Sequence, residues 1–379
     1  MSALQPQTEV SLITSKVRAV RGAIKLHSTI GDVGTNVTGW TALEVDNNTY
    51  EGADTFSVTF AASALPPTND ADWFSTQKTI YVEIFAGIVA NSSKWTTDDL
   101  PKPWIYGQVD DIDYDPVKGT LRIRGRDLTA LLIDAKTTEK WQNKTASQIA
   151  ILLAKRHGLT PQVTPTTTQV GKYYQIDHTT MTDSSTEWDL LTRLARFEQY
   201  GVYVRGLTLF FQPRTTPDSA TPYQVTWTQP SSSQAFASSS AKGLRLKRAL
   251  TISRGIVVVV RTWNDLACKV YHSTYPTGKP GPNSQTHYCT LHNATQQACD
   301  LKARSYYREL VQHEMSLSAE FPGDDVLDVT MPVRLTGTNT PFDQLYYPAS
   351  VKRSIDFESG YRIELEAKNS APDVAVSVA

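Results

Sequence analysis

One stretch, GQVDDIDYDPVKGTLRIRGRD at 107–127, admits very few local structures. Side chains alternate between the two faces of a β-strand. Asp111, Asp113 and Asp115 then share one face, with Ile112 and Tyr114 on the other. PVKG serves as a four-residue hairpin loop. Setting Asp115 opposite Thr120 places Asp113 opposite Arg122 and Asp111 opposite Arg124. The same register sets Tyr114 against Leu121 and Ile112 against Ile123. One register satisfies both faces, which specifies a hairpin. Each opposite-charge pair contributes about 0.2–1 kcal/mol.

The competing reading of these aspartates is a calcium loop. Asp111, Asp113 and Asp115 fit its first three ligand positions, but Pro116 stands where such a loop needs Gly and Arg122 where it needs Glu. The hairpin explains more of the residues.

Short alternating segments recur around it. GAIKLHS, DTFSVTFAA and TIYVEIFAGIV precede the hairpin, separated by turn clusters such as ALPPTNDADW. Spacing of this kind points to a barrel or sandwich. The texture then changes. TASQIAILLAKRHGL predicts a helix capped by Thr145 with Gln148 and stopped at Gly158. SSTEWDLLTRLARFEQYG predicts a second, boxed by Ser184 and Glu187 and stopped at Gly201. VYVRGLTLFF reads as a hairpin turning at Arg205-Gly206.

A Ser/Ala-rich loop, TQPSSSQAFASSSAKG, precedes further strands: LRLKRALTIS, GIVVVVRTW and CKVYHSTY. A third helix in ATQQACDLKARSYYRELVQ takes Asn293 and Gln296 as its cap. EMSLSAEF, VLDVTMPVRLTG, YYPASVKRSIDF and YRIELEAK return to strands, and residues after Asn369 read as a disordered tail. No residue-level repeat is obvious, yet the layout suggests two related β-blocks.

The chain has 379 residues, with 37 basic and 38 acidic ones and a net charge of −1. Such balance gives no overall pull towards nucleic acid or acidic membranes. The longest apolar run, Ile256 to Val260, is far short of a membrane span and reads as a buried strand. The N-terminus lacks a basic start and apolar core, so no secretory signal is expected. Three cysteines, an odd count, argue against a disulfide framework.

Candidate chemistry is thin. His287, Cys289, His292 and Cys299 are the nearest approach to a zinc set, but no Cys-x-x-Cys pair exists. Small buried cysteines and surface histidines are the simpler reading, and the sequence leaves metal binding there open. Glu139, Glu187 and Asp189 could be imagined as glycosidase acids, but the last two fall in a helix cap and a solvated helix face. Arg245, Lys247, Arg248 and Arg254 cluster without the stacking aromatics of a nucleic-acid site. No hydrolase or nucleotide motif is present. The expectation is no catalytic, cofactor-binding or metal residue, hence not an enzyme.

GRDLTALLIDAKTTEKWQNKTASQIAILLAKRHGL resembles a recurrent segment of phage tail baseplate hub proteins. There a strand ending in Gly-Arg-Asp leads through a loop to a helix with Ile-Ala and a closing Gly-Leu. STEWDLLTRLARFEQYGVYVRGLTLFF resembles the family's next element. FPGDDVLDVTMPVRLTGTNTPFDQLYYPASVKRSID with GYRIELEAK resembles its last barrel, although Met331-Pro332 stands where a Gly is commoner. The match is one of pattern from about Val10 to Lys368, and the order of the motifs carries it. The family includes contractile-tail hubs, late control D proteins and the N-terminal part of type VI secretion spike proteins.

The resemblance implies a β-rich α+β chain: two tail-tube-like β-barrel domains with α/β segments between and inserted. The expected division is 1–134 and 213–255 plus 314–370 for the barrels, 135–212 for the helical segment, 256–313 for the insert and 371–379 for a tail. It implies a homotrimer in the virion baseplate, made in the host bacterial cytoplasm. The trimer would join the tail tube (or a distal tail protein) to a spike, and DNA would pass its lumen unbound. The alternatives are a tail-tip cell-wall hydrolase, or a receptor binder using loops at 63–74, 90–103 and 274–286.

Overall fold

The computed structural model describes residues 18–369 except 50–51, 91–95, 101, 138, 140, 142–143, 168, 171–184, 199, 214–220, 232–235, 251–254, 266, 278–283 and 312–313. Ser184, Arg254 and the expected C-terminal tail lie outside the described residues.

The first strand block runs β1 (Arg18–His27), β2 (Thr35–Val37), β3 (Trp40–Asn48), β4 (Thr55–Ala61), β5 (Tyr81–Ala90), β6 (Ile105–Asp115) and β7 (Thr120–Asp127). A short helix, α1 (Ala71–Thr76), falls where the sequence reads as a turn; Asp70 caps it by accepting from the Trp73 N–H at 2.9 Å. Alternation organises every strand. In β4, Phe56, Val58 and Phe60 face inward; in β7, Leu121 and Ile123 do.

A compact α/β module follows, with α2 (Thr129–Asp134), β8 (Lys136–Thr137), β9 (Lys144–Thr145), α3 (Ala146–Arg156), β10 (Thr160–Val163), β11 (Gln169–Val170), β12 (Ser185–Thr186), α4 (Glu187–Glu198), β13 (Tyr200–Arg205) and β14 (Thr208–Pro213). Its core joins Leu132, Ile149, Leu153, Leu191, Val202 and Phe211. The Thr145–Gln148 capping box forms as expected. The second helix is capped differently: Thr186 and Asp189 make the reciprocal bonds, at 3.0 and 3.3 Å. Glu187 is thereby freed to point inward.

The second block holds β15 (Tyr223–Thr228), β16 (Ser238–Ser239) and β17 (Gly243–Arg248), and after an insert β21 (Met315–Pro322), β22 (Val333–Thr336), β23 (Leu345–Asp356) and β24 (Gly360–Lys368). The insert has three strands, β18 (Ile256–Asn264), β19 (Lys269–Tyr275) and β20 (Gln285–His292), covered by α5 (Gln296–Val311). Thr295, not Asn293, caps that helix, its hydroxyl accepting from the Ala298 N–H at 3.3 Å. The insert packs its own small core around Val258, Val260, Cys299 and Ala303.

The two blocks form one 14-stranded sheet. The weld is β23. Its first residues pair with β22, and residues 350–356 pair with β3 on one side while β24 runs along the other. Both blocks also share one hydrophobic core, which unites Val45, Phe60 and Ile84 with Leu335, Tyr346, Val351 and Ile363. Among the described residues no pairing joins β2 to β3 or β16 to β17, so neither block closes into a ring of hydrogen bonds.

A repeat absent from any simple reading of the sequence appears in the geometry. Asp115-x-x-x-Gly119 turns β6 into β7, and Asp356-x-x-x-Gly360 turns β23 into β24. In each, the Asp carboxylate accepts from the backbone N–H groups two and three residues on. In each, the glycine adopts positive φ, 65° and 73°. The Lys118 N–H holds the Asp115 carboxyl below its usual range, and bonds from Ser359 do the same for Asp356.

Candidate functional site: a charged face on one sheet

Because strand pairing is in register across the weld, the outward side chains of both blocks form one face. From β7 to β17 it runs through Arg122, Arg124 and Arg126; Ser57; Glu44 and Asp46; Lys352; Arg362, Glu364 and Glu366; then Ser318 and Arg245. On the other side of β7 come Asp111 and Asp113. These side chains are largely half-buried or exposed, whereas the inward neighbours Val45, Val58, Ile123, Val351 and Ile363 are fully buried.

Charge alternates across this face. Lys352 Nζ meets Glu44 Oε1 at 3.1 Å, Arg124 Nη1 meets Asp111 Oδ2 at 3.4 Å and Arg362 Nη2 meets Asp356 Oδ2 at 3.3 Å. Arg126 is held best. Its Nε and Nη2 donate to both oxygens of Asp110 at 2.7 and 2.9 Å, and Nη2 also reaches Asp134 at 3.2 Å. Burial raises the Asp46 carboxyl above its usual range, against the pull of Lys352.

The predicted hairpin register is observed residue for residue, Asp111↔Arg124 to Asp115↔Thr120. Three details differ. A bulge between Val109 and Asp111 releases Asp110 to bind Arg126. Arg122 donates to Ser57 Oγ at 2.7 Å rather than spending that bond on Asp113. Tyr114 is 47% exposed, because the hairpin tip extends past the core. Asp113→Asn should therefore shift stability by less than about 0.5 kcal/mol, as surface substitutions away from a bonded network do. A denaturant midpoint unchanged from wild type checks this.

The other nominated residues fall elsewhere. Glu187 is 2% exposed and bonds Arg156 Nη1 at 2.5 Å and His157 Nε2 at 2.6 Å. Arg156 Nη2 also reaches Glu139 at 2.7 Å. One guanidinium thus staples two of the three imagined glycosidase acids, Glu139 and Glu187, while the third, Asp189, is taken up in the helix cap with Thr186. Cys299 is buried in the insert core with Cys289 beside it, and His287 stands edge-on to Tyr306 at 6.3 Å. His292 pairs with Trp263 in strand register. Among the described residues no group of three or more His, Cys, Asp and Glu is placed to share a metal ion. Arg245 and Lys247 extend the charged face on β17, while Arg248 is tied to Glu314 at 3.0 Å. Of the three expected loops, 63–74 is folded down through the buried Phe74, and the other two lie partly outside the described residues.

No family model matches the chain, and no curated protein matches it in sequence. Solved structures do match. A tail protein from Neisseria meningitidis MC58 superposes with a TM-score of 0.65 at 15% identity, over 92% of this chain and 96% of that one. The 43 kDa tail protein of prophage MuSo2 from Shewanella oneidensis gives 0.66 at 15% identity, over 93% and 99%. A prophage tail protein from Listeria monocytogenes EGD-e gives 0.57 at 10% identity, over 92% and 94%. The chain thus has the fold of these phage tail proteins.

Proposed function

We propose that the chain is the structural hub of a phage or phage-like tail baseplate. Three copies form a ring that joins the tail tube to a spike, and the charged sheet face lines the channel through which DNA leaves. The continuous sheet built from two blocks with matching hairpins is the observation that carries this reading. Two tube-like units per copy convert a three-fold ring into six similar positions, the arrangement a closed cyclic assembly needs to meet a six-fold tube. On this reading each block is a tube-like barrel completed in the assembly, with the α/β module and the insert outside the ring.

The face chemistry suits a conduit. Lysine and arginine hold DNA by neutralising phosphates. Here Arg124, Arg126 and Lys352 are each matched by a carboxylate on a neighbouring strand, so passing phosphates gain little. The outer edge of β17 is unpaired among the described residues and is open to a strand of the neighbouring copy. The proposed setting is the virion baseplate, after synthesis in the host bacterial cytoplasm, with no cofactor. A hydrolase is disfavoured by the Arg156 staple across Glu139 and Glu187.

Solution mass tests the assembly. The chain, alone at high concentration or mixed with its tube and spike proteins, should sediment as three copies. A strict monomer that joins neither would overturn the proposal.

A further inference from the structure

The open edge of β17 has a counterpart at the far side of the same sheet. Counted along the pairing, eight strands run β6, β7, β4, β3, β23, β24, β21 and β17. Every neighbouring pair in that run is antiparallel. β17 pairs with β21 on one side and with no strand on the other among the described residues. The second half of β6 is open as well. β5 pairs with its residues 105–108, so 110–115 have β7 on one side and no paired strand on the other.

The two open edges match on both faces. On the charged face β17 presents Arg245 and Lys247, and β6 presents Asp111 and Asp113; all four are exposed. Among the described residues Arg245, Lys247 and Asp113 make no ion pair, and Asp111 has only its 3.4 Å contact with Arg124. On the other face β17 turns Leu244 and Leu246 towards the shared core, and β6 turns Ile112 and Tyr114 the same way. The two leucines and Ile112 are half-buried and Tyr114 is 47% exposed, so each edge leaves apolar surface for a neighbour to cover. Neither edge suits a copy of itself. Two β17 strands would oppose base to base, and two β6 strands acid to acid, which costs stability.

We propose that β17 of one copy pairs antiparallel with residues 110–115 of β6 in the next copy, with Arg245 and Lys247 facing Asp111 and Asp113 across the seam. The inference rests on the hub reading and names the strand that its ring joint uses. Edge-to-edge addition supplies backbone bonds, and the alternating faces supply the register. Direction fits, because the first and last of eight alternating strands run opposite ways. The contact is heterologous, so it passes from copy to copy until a ring closes. Spacing fits too. The β6–β7 and β23–β24 turns lie four strands apart within a copy, and the seam sets the β23–β24 turn four strands from the β6–β7 turn of the next. Matching turns then recur at equal intervals, two per copy. The strands at the two ends of the sheet order, β2 and β16, are uncharged and would break that interval.

Charge reversal tests the seam, with sedimentation of the full chain, alone or with its tube and spike proteins, as the readout. Arg245→Glu with Lys247→Glu should weaken association of copies by at least about tenfold, as like charges meeting at an interface do. Asp111→Lys with Asp113→Lys should do the same from the other edge. Both should unfold near the wild-type midpoint as monomers. All four substitutions in one chain should restore the three-copy species, because the charges again oppose. Reversed variants that assemble like wild type, or a fourfold variant that stays dissociated, would overturn the seam and leave the hub reading standing. A wild type that never assembles would overturn both.

Discussion

Gly125→Ala should destabilise the protein by about 3 kcal/mol, at the upper end of what overpacking costs. A Cβ at Gly125 would stand 1.9 Å from the Gln108 carbonyl oxygen and 2.7 Å from Cζ of Phe56. The first obstacle is backbone, so no rotamer change relieves it. Gly107 on the facing strand is confined in the same way, its Cβ position lying 2.5 Å from the Arg126 carbonyl and 2.7 Å from Cε1 of Phe56. The two glycines together seat the Phe56 ring beside the bulge at Val109. Gly119, at the tip of the same hairpin, has open space around it, so Gly119→Asn should cost about 1 kcal/mol or less. Chemical denaturation of both variants checks the contrast, and equal midpoints would contradict it.

Arg353→Leu should cost about 2–6 kcal/mol, since two buried acceptors lose their donors at about 1–3 kcal/mol each. Arg353 sits on the inward side of β23 with 8% exposure. Its Nη1 donates to Asn47 Oδ1 at 2.6 Å and its Nη2 to the Leu327 carbonyl at 2.5 Å, with the Trp104 ring 6.0 Å away. Asn47 in turn holds Asp54. This one side chain ties the second block to the first along the weld. Because the blocks share a core, the loss should lower one cooperative transition rather than split it. Lys352, one residue away but outward and paired to Glu44, is the control, and Lys352→Ala should move the midpoint by under about 1 kcal/mol. Unfolding in which Arg353→Leu behaves like Lys352→Ala would contradict the weld.

What was legible in the sequence depended on how local the deciding physics is. The β6–β7 hairpin could be read because one register pairs charge with charge and apolar with apolar. The α3 cap was legible because both partners lie within one turn. By contrast β3, WTALEVDNN, was not anticipated. Its inward position 47 is an asparagine, tolerable only because Arg353 arrives from a distant strand. The first-block strand to which β23 is welded thus carries a strand pattern broken by a polar inward residue. Glu187 looked like a cap because Ser184 precedes it by three residues. Its real role depends on Arg156 and His157, thirty residues away, and Thr186 with Asp189 takes the cap instead. The Gly-Arg-Asp run, one of the motifs in the family resemblance, also gains a physical account. Gly125 makes room for Phe56, Arg126 clamps Asp110 and Asp134, and Asp127 anchors the first turn of α2 through Thr129.

On the proposed reading, the charged face lines a channel in a three-copy ring. Cryo-electron microscopy of the chain assembled with its tube and spike tests it most directly. The predicted map holds three copies, with Arg124, Lys352 and Glu366 facing the lumen and β17 paired to a strand of the next copy. A map in which that face points outward, or in which the chain sits as a single copy away from the axis, would contradict it.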